Sequence, residues 1–161
     1  MRWIGLAGLT VLVVGFSLTS LTPARAGHTP PKVKLGVHIQ TTGEGQSQLE
    51  AMTIAVPPDG EQILIRTLPE ASDLQLIGVA EQANGAVRLQ FNHAGQVALS
   101  AATAENQGRF LVVLIDGQVV YAPIIDVQIT DGQLVIPRPL PPEIVRLLAD
   151  VAQENVRRAA R

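Results

Sequence analysis

Apolar and polar positions alternate without a break over residues 33–39. Val33, Leu35, Val37 and Ile39 fall on one face, Lys34, Gly36 and His38 on the other. A period of two marks a strand with one buried face, because successive side chains of a pleated chain point to opposite sides. Met52, Ile54 and Val56 repeat the pattern after a loop at residues 43–47, and Pro57-Pro58-Asp59-Gly60 turns the chain into a further strand over 63–66. Similar punctuation recurs three times. Asn84-Gly85 precedes alternating Val87, Leu89 and Phe91; Asp116-Gly117 separates 110–115 from 118–125; Asp131-Gly132 separates 125–129 from 134–136. Glycine accepts positive φ at no steric cost, and Asp or Asn tolerates it, so these four turns predict antiparallel hairpins. Residues 110–115 are apolar on both faces, which predicts the most buried strand, central in its sheet. Pro123 offers no N–H to a ladder, so its strand must bend, bulge or lie at an edge there.

Two stretches change period. Residues 95–106 are Ala-rich, with Val97, Ala98, Ala101 and Ala104 as an apolar stripe, Asn92 as N-cap, and Gly108 where a left-handed residue ends a helix. Pro141-Pro142-Glu143 opens a second helix, in which Ile144, Leu147, Leu148 and Val151 follow i, i+3, i+4, i+7 spacing. Arg157, Arg158 and Arg161 close it at the negative end of its dipole. From Val87 the order is strand, helix, three strands, helix. This predicts an α+β fold: a mostly antiparallel sheet built from hairpins, with two helices packed on one face.

The amino-terminal segment has a different pattern. Arg2 is followed by an uncharged apolar run over 4–21, which Thr22-Pro23 breaks, and Ala24-Arg25-Ala26 supplies small residues at the positions a signal peptidase reads. Residues 1–26 therefore read as a signal peptide cleaved between Ala26 and Gly27, rather than as a retained anchor. The expected product is exported, periplasmic or extracellular, with no membrane span after cleavage. Residues 27–66 form N-terminal strands of unassigned role and 67–161 the main domain. The leader holds two of the twelve basic residues and none of the fourteen acidic ones. The remaining 135 residues thus carry ten against fourteen, a balance of −4. That length makes one domain with a real core.

A mildly acidic chain lacks the basic stripe that nucleic-acid binding needs. Only Phe91, Phe110 and Tyr121 are aromatic after the leader, too few for base-stacking platforms or aromatic sugar clefts. There is no cysteine, which excludes disulfides, thiol catalysis, thiolate metal sites and a lipid-bearing cysteine. The three histidines His28, His38 and His93 have no metal-ligand spacing and read as solvated. Ser47, Ser72 and Ser100 sit in no nucleophile motif. Asp116, Asp126 and Asp131 invite a paired-carboxylate reading, but two of them precede glycine, where Asp serves a turn. No glycine-rich loop opens a helix to cradle phosphate. No catalytic, cofactor or metal residue emerges, and the chain reads as a non-enzyme.

The carboxy-terminal half carries an ordered set of short motifs. These are Phe91-Asn92-His93-Ala94-Gly95; Thr103 followed by Asn106-Gln107-Gly108-Arg109; Leu114-Ile115-Asp116-Gly117-Gln118-Val119; Ala122-Pro123-Ile124; and Ile129-Thr130-Asp131-Gly132-Gln133. In order and spacing this resembles SecD, the membrane protein that assists protein export, in the head of its first large extracytoplasmic domain, over about residues 67–150. The pattern residues Gly95, Gly108, Asp116, Gly117, Ala122, Pro123, Asp131 and Gly132 are residues of architecture. The resemblance implies a fold that contacts polypeptide outside the membrane. It does not carry over the motor function, which in SecD depends on membrane spans with charged residues. Pro137-Arg138-Pro139 stands where the family usually has a glycine, a stiffer entry to the last helix.

The expected function is an exported, non-enzymatic module that binds polypeptide or docks to an envelope protein. One alternative is a structural subunit with a single folded partner, which calls for a broad apolar patch. Another is a small hydrolase assembled around Ser100, His93 or Asp126. The partner's identity and the oligomeric state are not written in the sequence.

Overall fold

The computed structural model describes residues 32–42 and 50–161. The leader, its cleavage site at Ala26 and Gly27, His28 and the loop at 43–47 lie outside the described residues. The elements run β1 (Leu35–Ile39), β2 (Ala51–Val56), β3 (Glu61–Arg66), β4 (Ala71–Ser72), a single 3-10 turn (Asp73–Gln75), β5 (Leu76–Glu81), β6 (Val87–Phe91), α1 (His93–Glu105), β7 (Leu111–Ile115), β8 (Gln118–Tyr121), β9 (Gln133–Ile136) and α2 (Pro142–Ala159). This is the α+β fold expected, and every pairing of these strands is antiparallel. The strands form a four-stranded sheet, β4-β1-β7-β8, a three-stranded sheet, β5-β6-β9, and the hairpin β2-β3.

β7 is the central strand anticipated from its doubly apolar sequence, and all five of its residues are buried. Its two faces serve different cores. Leu111, Val113 and Ile115 join a main cluster with Leu35, Val37, Ile39, Leu89, Phe91, Leu99 and Leu148. Val112 and Leu114 face the β2-β3 hairpin, where they meet Val56, Ile63 and Ile65. Both helices contribute to the main core and the hairpin covers the other side, so neither face of β7 meets water.

The same arrangement corrects the reading of β1 as half-buried. All five of its residues are buried, Gly36 and His38 included, because β1 lies between β4 and β7 and Gly36 and His38 sit beside Leu114 and Val112, on the face that the β2-β3 hairpin covers. β3 reaches β1 through the Gln40–Ile65 bridge, Thr41 N–H donates to the Leu64 carbonyl at 2.8 Å, and Glu70 N–H donates to the Val37 carbonyl at 2.8 Å. β3 and β4 are thus two stretches of one edge, interrupted over residues 67–70.

His38, read from sequence as solvated, is only 5% exposed. Its Nδ1 lies 2.8 Å from the Arg66 carbonyl; a carbonyl only accepts, so Nδ1 carries the proton. Burial lowers the imidazole pKa below its ordinary 6.5, opposed in part by the Arg66 carbonyl and the Glu70 charge. The unfolded chain therefore takes up a proton at a higher pH than the folded one. The stability linked to this group is full above pH 6.5. It is lost as pH falls from there through the lowered folded value, and changes no further below it. Urea midpoints of the wild type are expected to fall more steeply with acidification across this window than those of His38→Gln. Parallel profiles would remove His38 as the cause.

Three of the four turns close hairpins. Asp116 (φ 49°) and Gly117 (φ 79°) both take positive φ, as the two-residue turn between β7 and β8 demands. Asp131-Gly132 is the exception. β9 pairs with β6, and residues 125–129 contain no strand. The backbone there is held by α1 instead: Ile129 N–H donates to Thr103 Oγ1 at 2.9 Å, Gln128 Nε2 to the Ser100 carbonyl at 3.2 Å, and Gln96 Nε2 to the Thr130 carbonyl at 2.7 Å.

α1 begins after Asn92, whose Oδ1 accepts from Gly95 N–H at 3.0 Å. Its buried stripe is Gly95, Leu99, Ala102 and Thr103, not the alanines with Val97, which is 53% exposed. The correction has a polar cause. Thr103 Oγ1 donates back to the Leu99 carbonyl at 2.7 Å and Asn106 Nδ2 to the Ala102 carbonyl at 2.8 Å. Polar side chains satisfied within the helix can face the core at no net cost, and a count of apolar residues overlooks them. α2 follows its predicted stripe, with Leu148 buried and Ile144, Leu147 and Val151 packed on the main core. Asn155 Nδ2 joins α2 to the carbonyls of Asp73 and Leu76.

Candidate functional site

β8 is the last strand of the four-stranded sheet, so among the described residues one of its edges is free. Its position is set at the turn, where Asp116 Oδ1 accepts from Lys34 N–H at 2.8 Å and Asp116 N–H donates to the Lys34 carbonyl at 2.9 Å. Pairing with β7 then slips: Leu114 faces Val119 but Val113 faces Tyr121, leaving Val120 as the extra residue of a bulge. The strand ends at Tyr121, ahead of Ala122 and Pro123. Contact with β7's end is regained further on, where Leu111 N–H donates to the Pro123 carbonyl at 2.9 Å and Phe110 bridges to Ile124.

Beside the free edge is a groove of about 330 Å³, lined by Val119, Val120, Tyr121, Ala122, Pro57, Pro137 and Arg138. Its walls come from three places: β8 itself, the turn after β2, and the segment after β9. Its side chains are mostly apolar, but backbone groups, the Tyr121 hydroxyl and the Arg138 guanidinium make the exposed lining about as polar as it is apolar. Arg138 Nη2 donates to the Val120 carbonyl. An open strand edge beside a trough is suited to holding extended chain: main-chain groups supply hydrogen bonds and the trough takes alternate side chains.

Of the motif residues singled out from sequence, Ala122 lines this groove, with Pro123 next to it. Asp116 and Gly117 make the hairpin that presents it. Gly95, Gly108, Asp131 and Gly132 lie around α1. Gly108 (φ 79°) follows the helix and its N–H donates to the Ile125 carbonyl at 2.8 Å, and Asp131 Oδ1 accepts from Gln133 N–H at 2.9 Å. Sequence reasoning missed Pro57, Pro137 and Arg138 as groove residues. The clustered prolines at 57–58 and 137–142 were the available signal, since proline is common beside exposed strand edges.

The hydrolase candidates are not part of the groove. Ser100 Oγ accepts from Gln128 Nε2 at 2.8 Å, while His93 and Asp126 are exposed on α1 and on the segment after Ile125. Among the described residues no three of His, Asp and Glu gather to hold a metal ion. Among them, too, no helix is long and apolar enough to cross a membrane.

Comparison with known proteins bears on this geometry. Two solved structures share the fold, each with a TM-score of 0.53. One is of SecDF, described as a membrane component that enhances protein export; it is 21% identical over 76% of this chain and 62% of its own. The other, SecDF in a super-membrane-facing form, is 22% identical over 75% of this chain and 18% of its own. The present chain thus spans less than two thirds of either. No curated protein matches it. The family model for the SecDF P1 head subdomain matches residues 55–155, a longer stretch than the motifs alone mark out, extending back to the end of β2. That match covers more than half of the sequence, and the chain belongs to the SecDF P1 head subdomain family.

Proposed function

We propose that the protein is an extracytoplasmic, non-enzymatic binding module of protein export, which holds extended polypeptide along the free edge of β8. The observation that carries this reading is the groove itself, a trough of mixed polar and apolar lining beside a strand edge that no other strand pairs with among the described residues. Family membership supports it, because the related SecDF is described as enhancing protein export. A chain in transit is unfolded, and strand addition recognises what every unfolded chain has, its backbone N–H and C=O groups. A fixed folded partner calls instead for one broad apolar patch. Among the described residues the large exposed apolar side chains come from several elements: Leu64 on β3, Leu68 and Leu74 near β4, Ile77 on β5, Val97 on α1, Ile124 and Val127 after β8, Val135 on β9 and Val156 on α2.

The test is photocrosslinking in cells that are exporting a tagged, slowly translocating protein. A probe at Tyr121 is expected to label the exported chain while a probe at Arg157, near the end of α2, does not. Equal labelling at both positions, or labelling of one folded protein only, overturns the reading.

A further inference from the structure

The free edge of β8 is guarded. The bulge at Val120 turns a carbonyl toward the groove, and Arg138 occupies it. Arg138 is held between Pro137 and Pro139, whose rings restrict the backbone and remove the flanking N–H donors. It is the only charged residue among the described ones that line the groove. Among the described residues it has no carboxylate partner; the two ion pairs there are Arg66–Glu70 and Arg158–Glu154. A cation whose partner is one neutral carbonyl gains Coulomb attraction when a carboxylate takes that carbonyl's place.

We propose that Arg138 is a latch on the β8 edge, and that the segment it admits is an extended apolar stretch carrying one carboxylate. This rests on the reading of β8 as a polypeptide-binding edge and adds a selection rule to it. An incoming strand needs the Val120 carbonyl as acceptor for its own N–H. To reach it, the strand must displace the guanidinium, which then loses its partner. A Glu or Asp on the segment takes the guanidinium over, so displacement and pairing happen together. A neutral segment returns the exposed guanidinium to water with no new partner, and a basic one adds like-charge repulsion. The latch also explains how an open edge avoids pairing with other copies of the chain, the usual hazard of an unprotected strand.

The experiment uses three fluorescent peptides of one apolar sequence that differ only in a central Glu, Gln or Lys, titrated against the protein and its Arg138→Gln variant. The Glu peptide is expected to bind the wild type about fivefold more tightly than the Gln peptide, the upper end for a solvent-exposed ion pair. The Lys peptide should bind weakest. In Arg138→Gln the three affinities converge, and the Gln peptide binds at least as well as it does to the wild type. Methylating alternate backbone nitrogens of the Glu peptide should abolish its binding to both proteins. If Glu and Gln peptides bind the wild type equally, or the preference survives in Arg138→Gln, the latch is overturned while polypeptide binding stands. If no peptide binds and Tyr121 yields no crosslink, both ideas fall together.

Discussion

Phe91→Ala is expected to remove about 3–5 kcal/mol of folding stability, the range for truncating a large buried aromatic. Domains of this size have only about 5–15 kcal/mol in total, so the variant should lie close to the unfolding threshold. Phe91 is 2% exposed and is the largest of the fully buried side chains. It ends β6, the middle strand of its sheet, opposite Leu76 of β5. Its N–H donates to the Gly132 carbonyl at 2.9 Å, and the next residue is the N-cap of α1. The surroundings have little freedom to collapse into the vacated volume. A Cβ on Gly95 would lie 2.8 Å from Phe91 Cβ and 3.0 Å from Gln75 Cβ, so α1 is already seated as closely as its backbone allows. Urea unfolding should show a lower midpoint with an unchanged slope, since the native state stays compact. A loss below about 1.5 kcal/mol, the scale of a tolerated volume-conserving swap, would mean that α1 settles into the cavity after all.

Phe91 also marks where local pattern is a sound guide and where it stops. The period-two runs, the turn dipeptides and the i, i+3, i+4, i+7 stripe of α2 are local signals, and they identified β6, β7, the β7-β8 hairpin and α2. They fail where distant chain decides the outcome. β1 alternates like a surface strand, yet its second face lies beside Val112 and Leu114, where the β2-β3 hairpin packs, and His38 is buried as a result. The stripe of α1 was misassigned because alanine marks a face only weakly, while Thr103 and Asn106 face inward with their hydrogen bonds met inside the helix. The candidate site follows the same rule. Pro123 implies a strand that bends, bulges or lies at an edge; β8 bulges at Val120 and ends at Tyr121, ahead of Pro123. The opposing wall of the groove is contributed by Pro57 and by Pro137 and Arg138, on either side of β8 in sequence, and no local pattern reports that the three segments meet.

Gly132→Ala should cost about 2–5 kcal/mol, combining about 1–2 for a left-handed backbone with about 1–3 for overpacking. Gly132 has φ 67°, and a Cβ there would lie 2.8 Å from Gln96 Cβ and 3.3 Å from Gln96 Cα. The nearest atoms belong to the first turns of α1, so relief requires moving the helix. That movement would strain the bond from Gln96 Nε2 to the Thr130 carbonyl and the one from Phe91 N–H to the Gly132 carbonyl. Gly117 supplies the control. Its φ is 79°, but a Cβ there meets nothing within 4 Å, so Gly117→Ala carries the backbone cost alone. The difference between the two losses isolates the contact between α1 and the turn before β9. This contact explains why Asp131-Gly132, which looks in sequence like one more hairpin, does other work. It turns the chain under α1 so that β9 meets β6 and carries Pro137 and Arg138 to the free edge of β8. Equal losses from the two substitutions would show that α1 yields to the added methyl, and the groove's far wall would then have to be positioned by β9 pairing alone.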